Sequence, residues 1–339
     1  MSGPSFLLTW KIRISAMDLE TKALLLSRGT VQLSQPGREG KTSTAGPGAG
    51  ESSIFFQSGS HMVRLSVVDS SALQLEMDGD EATISLEGRV IARGRVVEPL
   101  LHCPDQAYIT ISERCIYDCK FCAVPRLMGK VKSHERVMEM VKEAMATGRL
   151  ESISLTSGTE VSPQHEAERV AALVRDLLPF GLPIGVSVNP FPGVNRILLD
   201  AGADEVKYNL ETVDRDIFAQ VCPGLSYQEI MDALEEAVEL FGPNHVFSNV
   251  IIGLGESDRS LRQGIDELID MGVLPILRAA YPHPLRRGEV DIVRPSAERL
   301  LRLSRYLRMK LDEKGLDGSL ALTGCYRCTG CDLAPGRDL

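Results

Sequence analysis

Residues 107–122 read Ala-Tyr-Ile-Thr-Ile-Ser-Glu-Arg-Cys-Ile-Tyr-Asp-Cys-Lys-Phe-Cys, a short β-rich run that leads directly into three cysteines. The run at 107–111 is typical of a buried strand. Cys115, Cys119 and Cys122 follow within eight residues. Thiolates are soft ligands of iron–sulfur clusters, and three of them can hold three irons of a four-iron cluster while the fourth iron stays open. The alternative is a zinc or disulfide loop, although zinc sites usually pair C-x-x-C with a second ligand pair.

Strands alternate with helices after this point. Further candidate strands are residues 152–156, 184–188, 205–209, 246–252 and 274–278, with a short seventh at 319–322. Helix starts are indicated by Ser162 before Pro163, by the capping box of Ser226 and Glu229, and by Ser257. Repeated βα units imply parallel strands. We therefore expect an α/β fold, a partial or complete TIM-type (β/α) barrel with its site at the carboxyl ends of the strands.

The chain divides into four predicted regions. Residues 1–53 are expected to form an N-terminal extension, with a short helix from Asp18, and a Gly/Ser/Pro-rich loop. Residues 54–104 are expected to form a small β-rich N-terminal module, residues 105–318 the barrel, and residues 319–339 a cluster-binding C-terminal tail. The net charge of -9 argues against non-specific nucleic-acid binding, and no apolar run is long enough to span a bilayer.

Six of the eight cysteines form two tight triplets, which predicts metal clusters in a reducing cytoplasm rather than disulfides. The second triplet, Cys325, Cys328 and Cys331, has the spacing Cys-x-x-Cys-x-x-Cys on a glycine-rich turn and suits an iron–sulfur cluster. Zinc is its alternative, with Cys103, Cys222, Asp332 or a histidine as fourth ligand. Cys103 and Cys222 are expected to be buried free thiols, although either could donate the fourth ligand of the second cluster. We expect the tail to fold back over the barrel mouth, where this cluster would face the first across the substrate.

The spacing of the first triplet, with Phe121 before its last cysteine, resembles the signature loop of the radical S-adenosylmethionine (SAM) superfamily. Residues 105–290 are similar to its biotin synthase and lipoyl synthase branch. The resemblance implies a [4Fe-4S] cluster on Cys115, Cys119 and Cys122, the catalytic cysteines, whose open iron chelates SAM. Reductive cleavage of SAM would then yield a 5′-deoxyadenosyl radical.

The same resemblance implies a set of cofactor contacts at the strand ends. They are Phe121, Ser157, Gly158, Glu160, Ser187, Asn189, Asn209, Glu211, Gly253 and Arg278. The turn at 156–160 is expected to bind the SAM amino group, and Asn209 and Glu211 match the biotin synthase stretch Tyr-Asn-x-Asp-Thr. Ile230 stands where biotin synthase has an arginine, so Arg278 is expected to meet the SAM carboxylate. The alternatives are ordinary turns and strand-end salt bridges.

The second triplet bears on the reaction. An auxiliary cluster can conduct electrons, anchor substrate or donate sulfur, as in lipoyl synthase and biotin synthase. The chain has Phe247-Ser248 where biotin synthase carries a cluster cysteine, and it lacks the usual lipoyl synthase amino-terminal cysteine triplet and Arg-Ser-x-x-Ser ending. It resembles instead the two-component lipoyl synthases of archaea and some bacteria. That resemblance implies sulfur insertion into protein-bound octanoyl-lysine from an auxiliary [4Fe-4S] cluster.

The implied partners are a sister radical SAM subunit, a lipoyl carrier protein or domain as substrate, and an electron donor such as ferredoxin, with no nucleic acid and no membrane. One alternative function is radical SAM carbon–carbon bond formation, rearrangement or methylation in cofactor biosynthesis, as in methylornithine synthase. A second is a non-catalytic zinc-binding module. The segment containing His283 and Arg286 is predicted to be a solvated rim loop, or else to steer an acidic carrier domain or contact substrate.

Overall fold

The computed structural model describes residues 16–35, 52–127 and 129–339. Most of the predicted Gly/Ser/Pro-rich loop, residues 36–51, and the first 15 residues lie outside the described residues. Helix α1 (Leu19–Arg28) begins as predicted at Asp18, whose carboxylate accepts a 2.8 Å hydrogen bond from the amide of Thr21. Strand β1 (Thr30–Leu33) follows within the stretch predicted to be a loop, so that prediction is wrong for these residues.

Strand β1 closes a small barrel at the amino-terminal end of the chain. Its other strands are β2 (Ser53–Ser58), β3 (His61–Val67), β4 (Leu73–Asp78), β5 (Glu81–Leu86) and β6 (Arg89–Val97), in the order β1-β3-β2-β6-β5-β4. Strands β2 to β6 lie in and next to the region predicted to be β-rich, residues 54–104. Strand β1 runs parallel to both β3 and β4, and this pairing removes the two free edges of the sheet. Residues 30–33 are therefore ordered by partners 36–42 positions away along the chain.

The six predicted strands of the βα region are confirmed. They are β7 (Gln106–Thr110), β8 (Ser152–Thr156), β9 (Ile184–Ser187), β10 (Glu205–Lys207), β11 (Val246–Ile252) and β12 (Leu274–Ala279), all parallel and in consecutive order. The sheet they form is open, which corresponds to a partial TIM-type barrel. The predicted seventh strand is wrong, because Gly318–Leu320 form a turn of 3-10 helix and the amides of Leu322 and Thr323 bond the Glu205 carboxylate instead of a strand edge.

Helices cover the outer face of this sheet. They are α2 (His134–Ala146), α3 (Pro163–Leu177), α4 (Val194–Ala201), α5 (Arg215–Val221), α6 (Tyr227–Phe241), α7 (Asp258–Asp270) and α8 (Ala297–Lys314). The predicted caps Ser162, Ser226 and Ser257 each accept a hydrogen bond from the amide three residues further on, at 3.0–3.2 Å. Among the helices of the described ranges, none combines the length and apolarity needed to cross a membrane.

The carboxyl-terminal tail lies at the amino ends of the strands. The amide of Gly324, the first residue of α9 (Gly324–Cys328), donates to Gln106 Oε1 at 2.8 Å and to Ser154 Oγ at 3.0 Å. Tyr326 donates through its hydroxyl to the carbonyl of Pro275 at 2.8 Å. Gln106 and Pro275 lie at the beginnings of β7 and β12. The expectation that the tail folds over the barrel mouth is therefore wrong, since its hydrogen-bonding partners lie at the opposite end.

Candidate functional site

The loop that carries the first cysteine triplet is fixed by backbone hydrogen bonds to neighbouring strand ends. Ile116 donates its amide to the carbonyl of Thr159 at 2.7 Å, and Lys120 donates to Val221 at 2.7 Å. Gly158 donates to the carbonyl of Ser112 at 2.9 Å, and a Cβ atom at Gly158 would collide with the carbonyl oxygen of residue 114. A residue without a side chain is thus required where the loop crosses the end of β8.

A second anchor of this loop comes from a segment predicted to be solvated. Arg286 is buried, and its Nε donates to the carbonyl of Cys122 at 2.6 Å. The same guanidinium pairs with Asp118 at 2.7 Å and with Glu289 at 2.9 Å. His283 is also buried, so the prediction of a solvated rim loop is wrong for both residues. Arg286 is buried because its charge is neutralised by Asp118 and Glu289 beside the cysteine loop.

One cavity of about 310 Å³ lies against this loop, and most of the predicted site residues line it. Those residues are Cys115, Cys119, Phe121, Cys122, Ser157, Gly158, Ser187, Asn189, Asn209, Glu211 and Arg278. Cys331 of the second triplet lines the same cavity. The volume is within the range of small-molecule sites in proteins. The fold therefore brings residues that follow separate strands to one place.

Two predicted contacts do not line the cavity. The carboxylate of Glu160 pairs with Arg114 at 3.1 Å and with Arg169 at 3.3 Å. Gly253 has φ +119°, and a Cβ atom there would collide with the carbonyl oxygen of Val293. Neither residue needs a ligand to explain its presence. Two arginines neutralise the charge of Glu160, and Gly253 allows the backbone to approach Val293 closely.

Two asparagine oxygens in the cavity wall lack partners among the residues that the structure describes. They are Oδ1 of Asn209, just after β10, and Oδ1 of Asn249, on β11, and both are buried. Buried acceptors are normally satisfied, so these two fit a ligand that offers N–H or O–H donors, such as the amine or ribose of SAM. Asn249 was not predicted, although a single amide within the apolar strand Val246–Ile252 was a signal that could have been used.

Comparison with known proteins gives a match over the residues that form this site. The profile described as the Radical SAM superfamily matches residues 109–268. The chain carries a radical SAM domain. Its similarity to lipoyl synthases and biotin synthases agrees with the branch that residues 105–290 resemble.

The similarity to individual proteins is distant. Over 206 residues the chain is 25% identical to the lipoyl synthase of Picrophilus torridus, covering 55% of this chain and 69% of that protein. Over 173 residues it is 28% identical to the biotin synthase of Leptospira biflexa, covering 48% of this chain and 47% of that protein. The solved structure of methylornithine synthase superposes with a TM-score of 0.53 at 20% identity, covering 60% of this chain and 62% of that one, which shows the shared fold alone.

The thiols of the radical SAM loop are shielded from bulk water. Burial raises the pKa of Cys115 and raises that of Cys122 to about 12. The pKa of Cys119 is also raised, first because its thiol contacts that of Cys222 and second because it is buried. A soft metal must therefore displace protons from these thiols when it binds. The contact also accounts for Cys222, which lies beside the first triplet.

Three titratable groups line the domain's cavity, of which the sequence analysis singled out Glu211 but not His102 or Lys207. Burial raises the pKa of Glu211 to about 7, although Lys207 and Asn209 oppose the shift. His102 stacks on Tyr108 with ring centroids 4.9 Å apart, and burial holds its pKa well below the ordinary value. Lys207 could have been predicted, because a charged residue at the carboxyl end of a barrel strand is often functional.

Arg278 faces the second triplet rather than the first. Its guanidinium donates to Cys325 Sγ at 3.3 Å and lies 3.5 Å from a carboxylate oxygen of Asp332. Burial raises the pKa of Asp332 to about 6, against the influence of Arg278. Over the described ranges no three His, Cys, Asp or Glu side chains converge as they would around a single metal ion. Arg278 thus contacts the second triplet and also lines the cavity, and its contact with the SAM carboxylate stays a prediction.

Proposed function

We propose that the chain is a radical SAM sulfurtransferase of the lipoyl synthase type, acting on protein-bound octanoyl-lysine. The observation that carries the proposal is the position of Cys331, which lines the same cavity as Cys115, Cys119 and Cys122. One triplet would hold the SAM-binding cluster and the other a source of sulfur. The similarity to lipoyl synthases over about half of the chain supports this assignment.

The residues of the first site fit a [4Fe-4S] cluster and SAM. Cys115, Cys119 and Cys122 would hold the cluster, which when bound supplies the electron for reductive cleavage of SAM to a radical. Asn209 and Asn249 would accept hydrogen bonds from SAM through the oxygens that lack partners. Phe121, with the neighbouring apolar side chains of the wall, would exclude water from the reacting groups.

Glu211 supplies a proton-exchanging group in the same wall. Its pKa of about 7 means that the carboxyl group can hold or release a proton near neutral pH. Burying a carboxylate is costly unless donors satisfy it, so hydroxyl groups of a bound sugar are suitable partners for its ionised form. We assign Glu211 to binding and orienting SAM rather than to covalent chemistry.

The second triplet would hold the auxiliary [4Fe-4S] cluster. When bound, this cluster would supply the sulfur atom of the product, and the hydrogen atom lost from the octanoyl carbon would leave in 5′-deoxyadenosine. Arg278, bonded to Cys325 and close to Asp332, would offset the negative charge that thiolate ligands bring into a buried site. We further propose a sister radical SAM subunit, a lipoyl carrier protein or domain as substrate, a donor such as ferredoxin, and a cytoplasmic location.

Anaerobic turnover with an octanoyl-lysine peptide, with and without a sister subunit, tests the proposal by mass spectrometry. We expect a sulfur-containing product and loss of sulfide from the protein. A Cys325→Ala/Cys328→Ala variant should still release 5′-deoxyadenosine but form no sulfur product, and Cys115→Ala should lose both. A product without sulfur, with the sulfide of the protein unchanged, would instead favour carbon–carbon bond formation, rearrangement or methylation.

A further inference from the structure

Cys103 lies at the joint between the small barrel and the parallel sheet. It ends a tight turn in which the amide of Leu100 donates to the carbonyl of Cys103 at 2.7 Å. Residue 102 in this turn has φ +71°, a left-handed conformation that is uncommon for a residue with a side chain. The side chain of Cys103 is 2% exposed. The turn therefore places a thiol inside the protein, directly before β7.

That thiol meets the second cysteine triplet. Cys103 and Cys328 are in hydrogen-bond contact through their thiols, and both are buried against Phe55 of β2. Cys325 and Cys331 are close enough to Cys103 to interact with it electrostatically. The Cys103 turn and the second triplet, which are far apart along the chain, thus bring their thiols into one neighbourhood that is wider than the site of a single metal ion. Four cysteines are the usual ligand set of a four-iron cluster.

The small barrel fixes the loop that carries this group. Arg64 donates its amide to the carbonyl of Gly330 at 2.6 Å, and a Cβ atom at Gly330 would lie 2.6 Å from Phe55. Lys22 of α1 donates through Nζ to the carbonyl of Thr329 at 2.7 Å. Thr329 has φ +55° and reverses the chain between Cys328 and Cys331. The loop that carries the second triplet therefore packs against the small barrel, the part of the chain that leads into the Cys103 turn.

The other candidates for a fourth ligand have different surroundings. Cys222 contacts Cys119 in the first triplet. Asp332 lies 3.5 Å from the Arg278 guanidinium, and its two buried carboxylate oxygens have no hydrogen-bond partner among the described residues, so Asp332 is the competing candidate. His102 is stacked on Tyr108. Cys103 is the candidate whose sulfur touches a cysteine of the second triplet.

We propose that Cys103 is the fourth ligand of the auxiliary cluster, together with Cys325, Cys328 and Cys331. This assignment rests on the auxiliary cluster of the proposed function and deepens it. It makes the small barrel a structural part of the cluster site, because the Cys103 turn and the surface under Gly330 both belong to that part of the chain. It also means that all irons of the resting cluster carry thiolate ligands and none is open to substrate.

The test uses the full chain with the first cluster removed by Cys115→Ala, Cys119→Ala and Cys122→Ala. After anaerobic reconstitution with iron and sulfide, this background should hold about four irons and four sulfides per chain. Adding Cys103→Ser removes one thiolate, so it should change the EPR spectrum of the reduced protein and make the fourth iron labile, which lowers the iron content toward about three per chain. Adding Cys222→Ser is the matched control, since Cys222 is 1% exposed, and it should change neither measurement.

Several results would overturn the assignment. One is unchanged iron content and EPR spectrum in Cys103→Ser; another is loss of iron in Asp332→Asn but not in Cys103→Ser. Binding of one zinc without sulfide by the background would also overturn it. Thermal unfolding followed by circular dichroism checks that each variant folds.

Adding cyanide to the background gives a test that needs no change at Cys103. A fully thiolate-bound cluster should keep its EPR spectrum, and a cyanide-induced change would reveal an open iron and contradict the proposal. None of these measurements uses SAM cleavage or sulfur insertion, because the first cluster is absent from every variant. A failure of the proposed reaction is therefore distinguishable from a failure of the Cys103 assignment.

Discussion

Glu205 is the buried anchor that holds the carboxyl-terminal tail at the amino ends of the strands. Its side chain is 1% exposed. Its carboxylate accepts hydrogen bonds from the amide of Leu322 at 2.7 Å, the amide of Thr323 at 2.9 Å and the hydroxyl of Thr323 at 2.6 Å. Replacing Glu205 with alanine would leave all three donors unsatisfied inside the protein.

The cost can be worked out from these contacts. Hydrogen bonds to a charged group contribute about 1.5–3 kcal/mol each. Removing the carboxylate also recovers its desolvation penalty of several kcal/mol. We therefore expect Glu205→Ala to destabilise the docked tail by about 2–4 kcal/mol net. Glu205→Gln keeps one acceptor oxygen and loses about one hydrogen bond, so it should cost about 1–2 kcal/mol.

Hydrogen exchange of the Leu322 and Thr323 amides measures this effect directly. A loss of 2–4 kcal/mol corresponds to exchange that is roughly 30- to 900-fold faster, at about 1.4 kcal/mol per tenfold change. We also expect Glu205→Ala to lose iron from the second triplet and keep it at the first. Asp270→Ala is the control, because Asp270 is 74% exposed and pairs with Lys314 only at the surface. Exchange within about threefold of the unchanged protein would refute the reasoning.

Three further predictions concern the cavity and its support. Gly158→Ala should displace the carbonyl of Arg114 and lower 5′-deoxyadenosine formation roughly 100-fold, because small misplacements of reacting groups are costly. The fold raises the pKa of Glu211 from 4.5 to about 7. The cofactor-free protein should therefore lose up to about 3 kcal/mol of unfolding free energy as the pH rises from 4.5 to about 7, because the folded state binds the proton more tightly. In urea titrations, Glu211→Gln should abolish this loss. Tyr208→Phe removes a buried 2.7 Å hydrogen bond to Asn195, so the unfolding free energy should fall by about 1–3 kcal/mol while 5′-deoxyadenosine formation is unchanged.

Each of these predictions has a control or a contradicting result. Gly148→Ala, at a glycine with open space around it and φ +70°, strains only its own backbone and should leave product formation intact. An equal loss in both glycine variants would contradict the steric argument. The same pH slope in Glu211→Gln as in the unchanged protein would show that another group causes it. Slower product formation in Tyr208→Phe, without loss of stability, would place Tyr208 in the reaction.

Local sequence signals account for much of the fold. Six strands, four helix caps and the position of the first cysteine triplet after a strand were all predicted, because hydrophobic periodicity and capping depend on residues close together in the chain. The same logic placed Asn209 and Glu211 at the cavity, since the carboxyl ends of parallel strands meet there. It missed Asn249, whose side chain interrupts an otherwise apolar strand.

The sequence by itself determined that parallel βα units would carry a cysteine loop at the end of β7, since strand periodicity and ligand spacing are local properties. Only the tertiary structure decided which end of the barrel the tail occupies and which cysteine lies beside the second triplet. Glu205 reaches Leu322 across 117 positions, and Cys103 meets Cys328 across 225 positions. Such pairings depend on buried partners and on the steric fit at Gly330, neither of which leaves a periodic signal in the chain.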